Sequence, residues 1–214
     1  MTATPAGPTP KGRERRTALL DAAERILGAS GGSELTMRTV ADEAGVRLGH
    51  LQYYFPTRSD LLAALLDRIL ADSLARVAGL TETPANGSGD EEEGKAGADL
   101  PAVLDSILVD HDDLPLVRLF TEVWSMAAHD EEAARAVRAF YAAYTGHVAG
   151  FVLGRSPGLT PADARSRAEV FVMLVEGAAL FRSGVTGRPD PAGDALLRRT
   201  LLGLLDPGQE GPRA

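Results

Sequence analysis

No cysteine occurs among the 214 residues. Disulfides and thiolate metal sites are thereby excluded. Lysine is nearly absent, with two residues against twenty arginines. With alanine abundant, that bias reads as the mark of a GC-rich bacterial genome. Aromatic residues are few at 5%, and only one is tryptophan. No apolar run reaches about 18 residues, and no apolar h-region opens the chain. Membrane spanning and export are therefore not expected, and the cytoplasm is the expected compartment. The nucleophile elbow, the P-loop and the Rossmann fingerprint have no counterpart. Catalysis is not expected, and no cofactor is implied. Period-2 alternation and internal repeats are also missing, so the expected fold is all-α.

A hydrophobic fraction of 44% supports a packed core. The net charge is −8, which argues against polyanion binding over the whole surface. The charge is uneven: residues 1–60 carry +1 and the remainder −9. Residues 1–12, rich in Pro and Gly, are expected to be a disordered tail. Residues 81–98, TETPANGSGDEEEGKAGA, are expected to form a flexible acidic loop, with Asp90–Glu93 as solvated charge.

Between these segments the helical signals are strong. A first helix is expected over about 13–29, with Leu19, Ala22, Ala23, Ile26 and Leu27 inside. Thr57 to Asp60 has the form of a capping box and opens a helix over about 58–80. Further helices are expected at about 99–110, 113–128, 131–153, 161–183 and 194–205. Thr160-Pro161-Ala162-Asp163 is a clear start, with a cap, a first-turn Pro and an acid near the positive helix end.

The most informative stretch is 36–55, TMRTVADEAGVRLGHLQYYF. Thr36 can cap a short helix whose inner face holds Val40, Ala41 and Ala44. Gly45 suits a turn position with positive φ. Val46, Leu51 and Phe55 then fold a second short helix back onto the first. Arg38, Thr39, Arg47, Leu48, Gly49, His50, Gln52 and Tyr53 are left outside. Such a set can touch phosphates and base edges. This is the geometry of a DNA-binding helix-turn-helix.

The run AGVRLGHLQYYFPTRSDLL, preceded by the amphipathic RRTALLDAAERILGASG, resembles the TetR (tetracycline-repressor-like) regulators. The resemblance covers roughly 13–66. Three residues depart from the family pattern. Arg47 stands where a capping Ser or Thr is usual, Gln52 where Tyr is common, and Arg58 where Lys is common.

The resemblance implies a helix-turn-helix domain over 13–60 and a larger helical ligand-binding and dimerisation domain over 61–214, about nine helices in all. It implies double-stranded operator DNA as a partner, and Thr36, Arg38, Thr39, Arg47, Leu48, Gly49, His50, Gln52, Tyr53 and Arg58 as DNA-binding candidates. It also implies a homodimer formed by the last two long helices. Ala168, Phe171, Leu174, Val175, Ala178, Leu197, Leu201 and Leu204 are the apolar candidates for that interface. A repressor released by a small, mostly apolar effector is the expected function.

Candidates for the effector site are Phe120, Trp124, Phe140, Tyr144, His147, Phe171 and Glu176, with Tyr141, Met173 and Phe181 nearby in sequence. Trp124, Tyr144 and His147 stand out because each has a polar tip that needs a partner. Metal binding is not expected. The clusters His111-Asp112-Asp113 and His129-Asp130-Glu131-Glu132 sit at helix junctions, where acids act as caps. Two other readings stay open. One is a helical small-molecule-binding protein or enzyme with a vestigial helix-turn-helix, supported by neutral Leu48 and uncapped Arg47. The other is an activator or DNA-organising protein without an effector.

Overall fold

The computed structural model describes residues 9–81, 99–187 and 190–206. The acidic segment at 82–98 and most of the expected tail, 1–8, lie outside the described residues. What is described is helical, with no strand among the described residues. In chain order the α-helices are α1 (Pro10–Ser30), α2 (Met37–Glu43), α3 (Leu48–Tyr54), α4 (Arg58–Thr81), α5 (Leu100–Leu108), α6 (Leu114–His129), α7 (Glu131–Arg155), α8 (Pro161–Arg182) and α9 (Pro191–Leu205). Short 3-10 turns occupy Gly32–Glu34 and Val109–Asp112.

Two helices begin earlier than the periodicity suggests, for the same reason. Thr9 accepts from the Gly12 amide at 3.2 Å, and Pro10 supplies the preset φ of a first helical residue. α1 therefore starts three residues before the expected Arg13. Pro191 likewise opens α9 before the expected 194, although Asp190 makes no side-chain cap hydrogen bond. The predicted caps at Thr57 and Thr160 form. The Asp60 amide donates to Thr57 Oγ1 at 3.1 Å and the Thr57 amide donates back to Asp60 Oδ2 at 3.0 Å. The Asp163 amide donates to Thr160 Oγ1 at 3.1 Å.

The chain divides into two compact units. The first comprises Met1–Arg68 with Arg118–Arg138, and the second Ile69–Val117 with Ala139–Ala214. In the first, α1 packs on α2 and α2 on α3. Leu19, Leu20, Ala23, Leu27, Val40, Ala41, Leu51, Phe55, Leu61 and Leu65 are all buried there. In the second, α9 packs on α8 and α5. Leu104, Leu108, Val152, Ala164, Ala168, Phe171, Val175 and Leu201 form its core.

That second core corrects the expected dimer face. Ala168, Phe171, Val175, Ala178 and Leu201 are buried within one chain, and Leu174, Leu197 and Leu204 are partly buried. The apolar residues of α8 left in solvent are Val170, Met173 and Phe181, joined on α9 by Leu196. Positions 170, 173 and 181 follow one helical stripe. Apolar residues occur all round α8, so periodicity alone does not say which stripe faces inward.

Candidate nucleic-acid interface

The turn between α2 and α3 takes the expected form. Gly45 has φ +64°, and its amide bonds the Asp42 carbonyl at 3.1 Å. The Val46 amide then reaches the Ala41 carbonyl at 2.9 Å, which closes the turn. Arg25 of α1 pairs with Glu43 of α2 at 2.9 Å and ties the motif to the first helix. Leu51 and Phe55 are buried, so α3 has its opposite side in solvent.

On that side lie Gly49, His50, Gln52 and Tyr53, all exposed, with Tyr53 at 80% of its full accessibility. Leu48 is partly exposed. A Cβ added to Gly49 would meet nothing within 4 Å, so no internal contact requires glycine there. The partly buried Tyr54 supports its neighbours. Its ring lies 5.5 Å from that of His50 and meets Tyr53 edge-on at 5.2 Å. Sequence reasoning passed over Tyr54, although its i,i+4 spacing from His50 was the available signal.

Arg38 and Arg47 are exposed. Arg47 occupies the cap of α3 without a side-chain hydrogen bond, and the helix forms nonetheless. Thr36 serves α2 itself: its Oγ1 accepts the Thr39 amide at 3.1 Å and lies 2.7 Å from Thr39 Oγ1. Arg58 is turned away from the set. Its guanidinium donates to the Gly32 carbonyl at 2.8 Å and lies 3.9 Å from Asp130, with Nε buried and unpartnered. The capping box places Arg58 in the first turn of α4, from which the side chain reaches the Gly32–Glu34 turn. The expected phosphate contact from Arg58 has no support in this geometry. Glu122 holds the same turn from α6, accepting the Gly32 amide at 2.7 Å.

The effector candidates are divided. Phe120 and Trp124, with ring centroids 6.2 Å apart, belong to the first unit. In the second, Phe140 contacts Tyr141 edge-on at 5.0 Å and Tyr144 at 6.2 Å. The Tyr141 hydroxyl donates to the Glu176 carboxyl. Burial pushes that carboxyl up to about 7, opposed only by the Tyr141 bond. Burial, then Glu176, then Asp110 push the Tyr144 hydroxyl up as well. Phe140, Tyr141, Tyr144 and Glu176 are thus brought together. His147 is exposed in the single chain, and Phe171 is core at 0% exposure. Tyr141 and Tyr144 pack against the core cluster that contains Phe171.

The acid clusters at the helix junctions act as caps. Asp130 accepts the amides of Glu132 and Ala133 at 2.8 and 3.3 Å, and Asp113 that of Leu116 at 3.5 Å. His111 is buried, with its pKa lowered to about 4 by burial and then by Arg182. The letters Gly28-Ala29-Ser30-Gly31-Gly32 match G-x-S-x-G, but Ser30 closes a helix and follows no strand.

The sequence pattern of the bacterial regulatory proteins of the tetR family matches residues 19–65, which contain α2, α3 and the buried half of α1. The matched domain belongs to the TetR family. An HTH-type transcriptional regulator in the dhlA 5′ region of Xanthobacter autotrophicus is 32% identical over 124 residues, 58% of each chain. The HTH-type transcriptional repressor KstR of Mycobacterium tuberculosis is 45% identical over 56 residues, 26% of each chain. The chain thus spans about half the length of the first of these relatives and about a quarter of the second. The solved structure of the multidrug binding protein EbrR complexed with ethidium is 28% identical, with a TM-score of 0.62, covering 89% of this chain and 98% of that one.

Proposed function

We propose that this TetR-family chain is a DNA-binding transcriptional regulator, a repressor that leaves a near-palindromic operator when a small, mostly apolar effector binds. The observation that carries the reading is the exposed Gly49, His50, Gln52 and Tyr53 edge of α3, held outward by buried Leu51 and Phe55. A bare glycine with open space above it admits close approach of a duplex, while His50 and Gln52 offer groups for base edges and Tyr53 a phosphate contact. Arg38 and Arg47 add charge beside it. The likeness to KstR supports a repressor, and the likeness to EbrR supports a small ligand.

Two copies associate through α8 and α9. The stripe of Val170, Met173 and Phe181 with Leu196 is the apolar surface that a second copy covers. Two α3 helices then enter successive major grooves about 34–36 Å apart. The effector binds preferentially the conformation whose heads do not fit that spacing, and so releases DNA by differential affinity.

Selection of bound duplexes from a random pool, followed by fluorescence anisotropy at several salt concentrations, tests this reading. Enrichment of a near-palindrome with affinity falling steeply in salt is expected. No enrichment, with salt-independent retention, would refute it.

A further inference from the structure

We propose that Arg16 of α1 is a phosphate-contacting residue of the DNA interface, held beside the C-terminal end of α3 by the ring of Phe55. The proposal rests on the DNA-binding reading above and adds to it a residue on a helix outside the helix-turn-helix.

The placement follows from the pattern of α1. Arg16, Leu20, Ala23 and Leu27 recur at helical spacing and share one stripe. Leu20, Ala23 and Leu27 are buried, whereas Arg16 is exposed. Arg16 thus lies where the buried stripe runs out into solvent. An arginine there lays its apolar stem on the core and keeps its charged head in water. The anchor is an aromatic ring: the guanidinium carbon lies 5.3 Å from the centroid of Phe55. An aromatic face attracts a cation at that distance. Phe55 is itself buried and is the C-cap residue of α3. The charge of Arg16 is therefore fixed at the end of the helix whose outward edge carries the exposed Tyr53.

That charge is not neutralised. Other arginines of the same unit are committed: Arg25 to Glu43, Arg68 to Asp21 and Glu24, and Arg58 to the Gly32 carbonyl and Asp130. Arg16 enters no ion pair among the described residues. A guanidinium held on a ring is a preorganised fork for a planar pair of anionic oxygens, and phosphate supplies such a pair. The phosphate is the same at every step of a duplex, so the contact adds affinity without base preference. The positive charge expected from Arg58 is withdrawn to the Gly32–Glu34 turn, and Arg16 supplies it from α1 instead.

Salt dependence separates a phosphate contact from a clasp that only joins α1 to α3. Each phosphate neutralised contributes about 0.9 to the slope of log affinity against log salt concentration. Fluorescence anisotropy on the full chain, with a selected duplex and its single-base variants, reads that slope between about 50 and 200 mM salt. Arg16→Gln should lower the slope by about 0.9, so that its affinity deficit narrows about 3.5-fold over that range. The deficit should be equal on every duplex. Arg16→Lys keeps the charge and should keep the slope. Circular dichroism and melting temperature report whether each variant is folded. Arg16→Met, which keeps an unbranched apolar stem beside Phe55, repeats the test should the glutamine variant unfold. An unchanged slope in the uncharged variant, whatever its melting temperature, would reduce Arg16 to a clasp and overturn the proposal. A slope lost in Arg16→Lys, or a deficit that depends on base sequence, would overturn it too. Binding by the unaltered chain that ignores salt would sink the DNA reading, and this proposal with it. Steep salt dependence in the unaltered chain, unchanged in Arg16→Gln, would sink this proposal alone.

Discussion

At the residue scale, Tyr53 and His50 share an exposed edge but are expected to act differently. Tyr53 has a hydroxyl for a phosphate, which is the same at every sequence. Tyr53→Ala should weaken all duplexes alike, by about 1 kcal/mol for one hydrogen bond. His50 faces base edges, so His50→Ala should also change which bases are preferred. Anisotropy on a selected duplex and on single-base variants measures both; uniform losses for both substitutions would deny His50 a reading role. Glu176 gives a test of stability. Its folded pKa is raised from 4.5 to about 7, so the folded state binds the proton more tightly. The contribution is fully present below pH 4.5 and is lost as pH rises through about 7. Glu176→Gln should therefore melt with the unaltered chain at pH 4 and above it at pH 8. A melting difference independent of pH would show that the carboxyl is not burdened by burial.

At the scale of elements, the two glycines of the helix-turn-helix are expected to respond in opposite directions. Gly45 sits at φ +64°, where a side chain is strained by about 1–2 kcal/mol, so Gly45→Ala should lower the melting temperature. Gly49 lies inside α3 with open space around it. Gly49→Ala should raise stability by about 0.5–1 kcal/mol through helix propensity, yet weaken DNA binding by blocking close approach. Denaturant titration beside anisotropy checks both; tighter DNA binding by Gly49→Ala would refute the close-approach role. The Gly32–Glu34 turn depends on α6, since Glu122 accepts the Gly32 amide. Glu122→Ala leaves that part-buried amide without its acceptor and should cost about 1–3 kcal/mol in urea unfolding. The turns and caps were legible in the sequence because each depends on residues three or four positions apart, as at Thr57 with Asp60. The Arg58 clasp was not. Its partner Asp130 stands 72 positions along the chain, and no local pattern carries that pairing.

At the scale of the whole molecule, α8 presents two apolar sides with different expected consequences. Phe171 is fully buried, and Phe171→Ala should cost about 3–5 kcal/mol and threaten folding. Met173 and Phe181 are 68% and 53% exposed. Met173→Asp with Phe181→Asp should leave the fold intact and yield a monomer in sedimentation, with operator affinity lost. A stable dimer carrying both charges would place the interface elsewhere. The sequence by itself determined the helix-turn-helix, the outward edge of α3 and the order of the helices. These rest on spacing, capping and turn chemistry within a few tens of residues. Only the tertiary structure decided which stripe of α8 faces inward, that Arg58 is held by Gly32 and Asp130, and that Tyr141 and Tyr144 meet Glu176. A helix apolar all round has no preferred inner face until another helix packs on it. A buried carboxyl is told from an exposed one only by what surrounds it.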